Sequence, residues 1–187
     1  MSAPAYARQR RVLHWAVAAV VFAALPLGFV FTDFDNRPWI EARFGAGSFN
    51  WFYNLHKSVG LTALALMLVR VWAKRRWPDP ARAEPLPAWQ ETLSRAAHAS
   101  LYMLLIVVPL LGWLGTSAFP APVPVFGLFE IPLPVAPDRA LSRRVLDFHT
   151  ALATVSAFVI LAHVAAALHH RHVRRDGVFA RMWPPRR

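Results

Sequence analysis

The 187-residue chain contains no cysteine. Disulfides, thiolate–metal sites, iron–sulfur clusters and covalent haem attachment through cysteine are therefore excluded. A metal held here must rely on histidine, methionine, carboxylate or a cofactor. Acid is scarce as well, with 10 Asp and Glu against 21 Lys and Arg. The long apolar stretches carry none of these acids away from their ends. That weighs against a metal or proton transporter, which would want an acidic group at membrane depth. No Gly-rich phosphate loop, nucleophile motif or internal repeat is visible.

What is present is apolar and basic together: 56% hydrophobic residues and a formal charge of +11. This length suits one domain spanning residues 1–187. A soluble protein with this balance would be unusual, whereas a membrane protein with its charges gathered on one side would not. Four segments are long and apolar enough to span a bilayer, at about 12–31, 50–73, 93–119 and 147–172. They predict an all-α, integral membrane four-helix bundle. The start, MSAPAYARQRRVLHW, resembles the charged part of a signal peptide, but the apolar run behind it is long and is read as a retained helix. Pro26 and Pro109 fall inside spans, where neighbouring helices can satisfy the freed carbonyl. Residues 32–48 read as a turn-rich loop with a short interfacial helix. The prolines of PAPVPVFGLFEIPLPVAP preclude a regular helix and predict a cap on the bundle rim.

Four spans put both termini and the loop between the second and third spans on one side. That side holds 15 Lys and Arg and 4 acids, while the other is neutral in sum. The positive-inside tendency makes the basic side cytoplasmic. Basic residues alone also suit nucleic acid, but no aromatic-interleaved basic surface or nucleic-acid motif accompanies them, so no nucleic-acid partner is expected.

The fourth segment, DFHTALATVSAFVILAHVAAALHHRH, contains His149 and His163. Their spacing of fourteen residues makes nearly four helical turns and about 21 Å of rise, with both imidazoles within about 40° of one face. One helix thus offers a ligand near each membrane surface. His14 opens the first span on the cytoplasmic side and His56 opens the second on the other. The histidines then form an inner pair, His14 with His163, and an outer pair, His56 with His149. Two imidazoles on facing helices can clamp one haem iron, and bis-His ligation favours electron transfer over oxygen binding. Two b haems stacked across the bilayer are the expectation.

Other residues fit around that frame. Arg70 lies fourteen residues beyond His56, where it could meet a haem propionate or snorkel to the interface. Gly60, one turn after His56, could admit a flat macrocycle or a neighbouring helix. His98 could replace an inner ligand, hold a propionate or sit at the interface. His170, seven residues beyond His163, could offer a donor to a quinone carbonyl. His169 and His172 have no assigned role.

These pieces together resemble the bacterial cytochrome b561 family. They are RRVLHW, NLHKSVG, MLVRVWAK, HASLYMLLIVVPLLGW, DFHT and AHVAAALHH, in order along nearly the whole chain. Within the family the chain is most similar to the superoxide oxidase type. The resemblance implies axial roles for His14 and His163 at an inner haem and for His56 and His149 at an outer one. It implies a ubiquinone contact at His170, and superoxide as a periplasmic electron donor, which would make the protein a quinone-reducing oxidoreductase. Lys57, Arg143 and Arg144, flanking the outer histidines, could steer that anion or could hold propionates or lipid phosphates. The competing readings are an electron-transfer subunit or haem-containing membrane anchor for another redox partner and, behind it, the transporter.

Overall fold

A computed structural model describes residues 5–80, 87–119, 121–132 and 134–183. The elements in order are α1 (Arg8–Phe31), a 3₁₀ turn (Phe34–Asn36), α2 (Arg37–Phe44), α3 (Ser48–Arg76) and α4 (Ala88–Ala118). They continue with strands β1 (Pro124–Val125) and β2 (Phe129–Glu130), α5 (Arg139–His169), a π-turn (His170–Arg174) and a second 3₁₀ turn (Phe179–Arg181). Four of the helices, α1, α3, α4 and α5 with its π-turn, are long and apolar enough to cross a membrane. Their outward faces carry large apolar side chains, among them Phe22, Leu68, Phe158 and Leu161. In water such surface would be a liability; against lipid it is the ordinary state.

The helices extend beyond the apolar runs. The fourth segment, expected from about residue 147, begins at Arg139, where Asp138 caps it by accepting from the amides of Ala140 and Leu141 at 2.9 and 3.0 Å. Charge does not end a helix, so Arg143, Arg144 and Asp147 simply lie in its first turns. Helix α4 likewise begins at Ala88, ahead of the apolar run expected from about residue 93. Pro26 and Pro109 lie within continuous helices.

Close backbone packing joins α1 to α3, α3 to α4, and α4 to α5. Among the described residues, α1 against α5 and α3 against α5 make at most marginal backbone contact. The small core, Val17, Val21, Ala63 and Met67, is flanked by Tyr102, Ile106 and Ile160. One end of the bundle is closed by α2 and the β1–β2 hairpin. Ser58, buried in α3, holds that hairpin: its Oγ accepts from the Phe126 amide at 2.9 Å and lies 3.0 Å from the Pro124 carbonyl. At the opposite end Arg10 of α1 donates to the Trp77 carbonyl and pairs with Asp79. There the Tyr6 amide meets the Arg181 carbonyl, and Trp15 Nε1 donates to the Met182 carbonyl. Part of the expected linker between the second and third spans, residues 81–86, lies outside the described residues.

Candidate functional site

Four histidines project inward from three helices and form two pairs. Toward the hairpin end, His56 of α3 faces His149 of α5, ring centres 6.2 Å apart and planes at 85°. Toward the opposite end, His14 of α1 faces His163 of α5 at 6.3 Å and 72°. Both pairs bridge helices whose backbones stand apart, α3 with α5 and α1 with α5. His98 of α4 also approaches His163, at 5.3 Å.

The surroundings of the pairs are built for rings. A β-carbon on Gly28 of α1 would lie 2.8 Å from His56 Cε1, and one on Gly112 of α4 would lie 3.0 Å from His149 Cε1. Each imidazole of the hairpin-end pair therefore rests in a notch left by a glycine on the adjacent helix. His149 Nδ1 lies 2.8 Å from the Val108 carbonyl, which fixes Nδ1 as its protonated nitrogen and frees Nε2 as an acceptor or ligand. The Nδ1 atoms of His14 and His56 are buried with no full hydrogen bond among the described residues, although the Ala24 carbonyl lies within range of His56. Between His56 and His149 lies a cavity of about 190 Å³, lined also by Tyr53, Lys57, Gly60, Gly112, Trp113 and Thr116. Gly60 has nothing within 4 Å of where its β-carbon would stand, so it opens onto this space.

The remaining sequence candidates fall in separate places. Lys57 lines the same cavity, donates from Nζ to the Pro122 carbonyl at 2.7 Å and lies over the Tyr53 ring. Arg143 and Arg144 do not line it; they are exposed on α5 and border an open groove with Arg139. Arg70 donates to the Tyr102 hydroxyl at 3.2 Å and is within electrostatic range of His14 and His163. His170 begins the π-turn, and its Nδ1 meets Asp176 Oδ2 at 2.5 Å. Burial pushes the Asp176 carboxyl up, but the His170 hydrogen bond, the Val178 amide and the charges of His170 and Arg174 outweigh it and hold the group below the usual carboxylate range. Asp176, Gly28 and Gly112 carry no signal in the sequence that singles them out for these contacts.

The family model for prokaryotic cytochrome b561 matches residues 5–185. The chain belongs to the prokaryotic cytochrome b561 family. Cytochromes b561 are helical membrane bundles with b-type haem, and this one is a membrane electron-transfer protein. It is 28% identical to cytochrome b561 homolog 1 of Escherichia coli K12, covering 97% of this chain and 98% of that one. It is 28% identical to cytochrome b561 homolog 2 of the same organism, over 90% of this chain and 86% of the relative. A Yersinia pestis relative named probable superoxide oxidase CybB is 29% identical, over 94% and 93% of the two chains.

The histidines of this cytochrome b561 fit its cofactor. With metal–imidazole bonds of about 2 Å and nitrogens about 1.2 Å from the ring centre, two imidazoles on opposite sides of one iron have centres about 6.4 Å apart. Both pairs meet that spacing; His98 with His163, at 5.3 Å, falls short of it. No group of three or more His, Asp or Glu side chains among the described residues is placed to hold a metal ion. Pairs are what haem asks for, because the porphyrin supplies the other four ligands.

Proposed function

We propose that this cytochrome b561 is a single-domain, di-haem protein of the bacterial inner membrane that takes electrons from superoxide at the periplasmic side and delivers them to ubiquinone at the cytoplasmic side. The observation that carries the reading is the pair of imidazole couples, 6.2 and 6.3 Å between ring centres, each across a gap between helices. His14 with His163 would hold one haem b and His56 with His149 the other. When bound, each would supply a one-electron store, and two histidine ligands would leave it no open position for oxygen.

The protein's own contribution is to bind, orient and exclude. Val108 fixes the ring of His149, and Gly28 and Gly112 admit the outer imidazoles. Arg70, beside the inner pair, is the candidate anchor for a propionate. Lys57, at the outer cavity, offers a cation to a small anion. His170, at the cytoplasmic end, offers a hydrogen bond to a quinone oxygen. The name of the Yersinia pestis relative supports superoxide as the donor, and both termini on the basic side support the direction.

The test begins with an absorption spectrum and a pyridine haemochrome assay on purified protein. Two haems per chain with sharp reduced α bands are expected; a colourless protein ends the reading. His14→Ala should lose the same haem as His163→Ala, and His98→Ala should keep both. Anaerobically prepared protein should then show haem reduction under a superoxide flux, abolished by superoxide dismutase, and reoxidation by ubiquinone. Reduction that ignores the dismutase would leave a di-haem cytochrome with another donor.

A further inference from the structure

The cytoplasmic end of α5 departs from α-helical geometry at one place. After His169 the chain widens into the π-turn His170–Arg174, and Arg175 then adopts a left-handed backbone at φ 53°, ψ 32°. Non-glycine residues seldom take that conformation, and π-turns recur at functional sites. Here they reverse the chain. Gly177 follows at φ 76°, and Asp176 between them returns onto the helix end it has just left.

The returning carboxylate is fully engaged. Oδ2 meets His170 Nδ1 at 2.5 Å and Arg174 Nε at 3.4 Å, while Oδ1 accepts from the Val178 amide at 3.2 Å. Arg174 is held in turn by Gln90 of α4, whose Oε1 it meets at 2.6 Å. Both members of the pair are largely shielded, with side-chain exposures of 19% for His170 and 17% for Asp176. The His169 ring lies 6.2 Å from that of His170. Arg174 and His169 are charged or titratable groups set against the pair.

An ionised carboxylate only accepts hydrogen bonds, so His170 Nδ1 must be the donor to it. The second ring nitrogen, Nε2, is left for another partner. We infer that Asp176 is the positioning residue for proton delivery to the quinone: it holds the Nδ1 proton of His170, fixes the ring and keeps Nε2–H as the group presented to the quinone oxygen. The inference rests on the proposed reading that His170 meets ubiquinone.

Reduction of one ubiquinone to ubiquinol consumes two electrons and two protons. Two superoxide anions supply the electrons and leave as two molecules of dioxygen. In each of two deliveries the Nε2–H bond breaks and an O–H bond forms on the reduced quinone. The neutral ring keeps its Nδ1 proton toward Asp176, and Nε2 is reloaded from cytoplasmic water. Asp176 stays ionised throughout, held so by Arg174 and the Val178 amide.

The experiment uses the purified holoprotein, its haem reduced with stoichiometric dithionite and mixed anaerobically with a short-chain ubiquinone. General acid catalysis is worth about 10²–10⁴-fold, so His170→Ala should slow haem reoxidation by about a hundredfold, and Asp176→Asn by about tenfold. Asp176→Glu should recover most of the rate, with haem content constant in all three variants. Nitrogen NMR of histidine-labelled protein without quinone should show His170 protonated at Nδ1, a signal that Asp176→Asn displaces and Asp176→Glu keeps. Asp176→Asn at the wild-type rate, or Asp176→Glu as slow as Asp176→Asn with the His170 signal unmoved, would overturn the inference. If the wild-type protein is not reoxidised by ubiquinone, the quinone reading falls; if His170→Ala is reoxidised normally, the His170 contact falls; the inference goes with either. Either failure is told apart because it does not involve Asp176.

Discussion

Gly28 and Gly112 show how much of this site depends on atoms that are absent. Each imidazole of the hairpin-end pair occupies the space where a β-carbon would stand, with gaps of 2.8 and 3.0 Å to Cε1. The obstruction at each position is a ring lodged between two helices, so relief requires the ring itself to move. Gly112→Ala should tilt His149 and stretch its hydrogen bond to the Val108 carbonyl. On the proposed ligation, the expected result is loss of up to half the haem, or a shifted outer-haem spectrum and potential, with the inner haem unaltered. Pyridine haemochrome and a redox titration followed at the α bands check this; two haems with wild-type potentials would show that the notch is only packing. The histidines themselves were legible in the sequence, because fourteen-residue spacing is a property of helical geometry. Their glycine seats were not, since a glycine in an apolar helix looks the same whether it faces lipid, a helix or a ring. Gly60, the glycine whose spacing invited a role, opens onto the cavity with nothing packed against it.

At the level of elements, the apolar runs located the four long helices but not their ends. Hydropathy reports where lipid can be, whereas a helix stops where its terminal amides and carbonyls find partners. Asp138 therefore starts α5 well before the apolar run, and His149 sits inside the helix rather than at its opening. The proline-rich segment was readable as an irregular cap, but its hairpin was not, because it is anchored by side chains far away in the chain, the Ser58 hydroxyl above all and the Lys57 ammonium beside it. Ser58 is 1% exposed and receives the Phe126 amide, and Phe126 itself has a left-handed backbone at φ 50°. Ser58→Ala would leave that amide without its partner, at a cost of about 1–3 kcal/mol for a buried donor. The hairpin, and with it Val123 at the cavity wall, should loosen. Hydrogen exchange across residues 121–130 should accelerate while haem content and the exchange of α3 stay unchanged. Unaltered exchange in the hairpin would mean that Lys57 and the Val123–Ile131 backbone hydrogen bond hold it without Ser58.

For the whole molecule, charge sets both orientation and approach. The entire +11 lies on the side of the termini and the loop between α3 and α4, so that side should be cytoplasmic. A reporter active only in the cytoplasm should give signal when fused after Arg187 and none when fused after Pro122; the reverse pattern would reject this orientation. On the proposed reading the neutral side faces superoxide, and there position matters more than sum. Lys57 is at the cavity that holds His56 and His149, with Glu130 of the hairpin within electrostatic range and partly offsetting it. Arg143 and Arg144 line a separate exposed groove with Arg139, so they can act on an incoming anion only through solvent. Two kinds of effect follow. A charge acting through solvent changes the encounter rate, and its reach shrinks to about 8 Å at physiological salt. A charge at the cavity acts over a short range that salt screens far less. Arg143→Gln with Arg144→Gln should therefore slow haem reduction by superoxide only at low ionic strength, and the difference from the wild-type protein should vanish as salt is raised. Lys57→Gln should slow the same step several-fold at every ionic strength, with both haems retained. Stopped-flow reduction over a range of salt concentrations separates the two. If the arginine pair matters as much as Lys57 in high salt, the anion enters along α5 and not through the cavity beside Lys57.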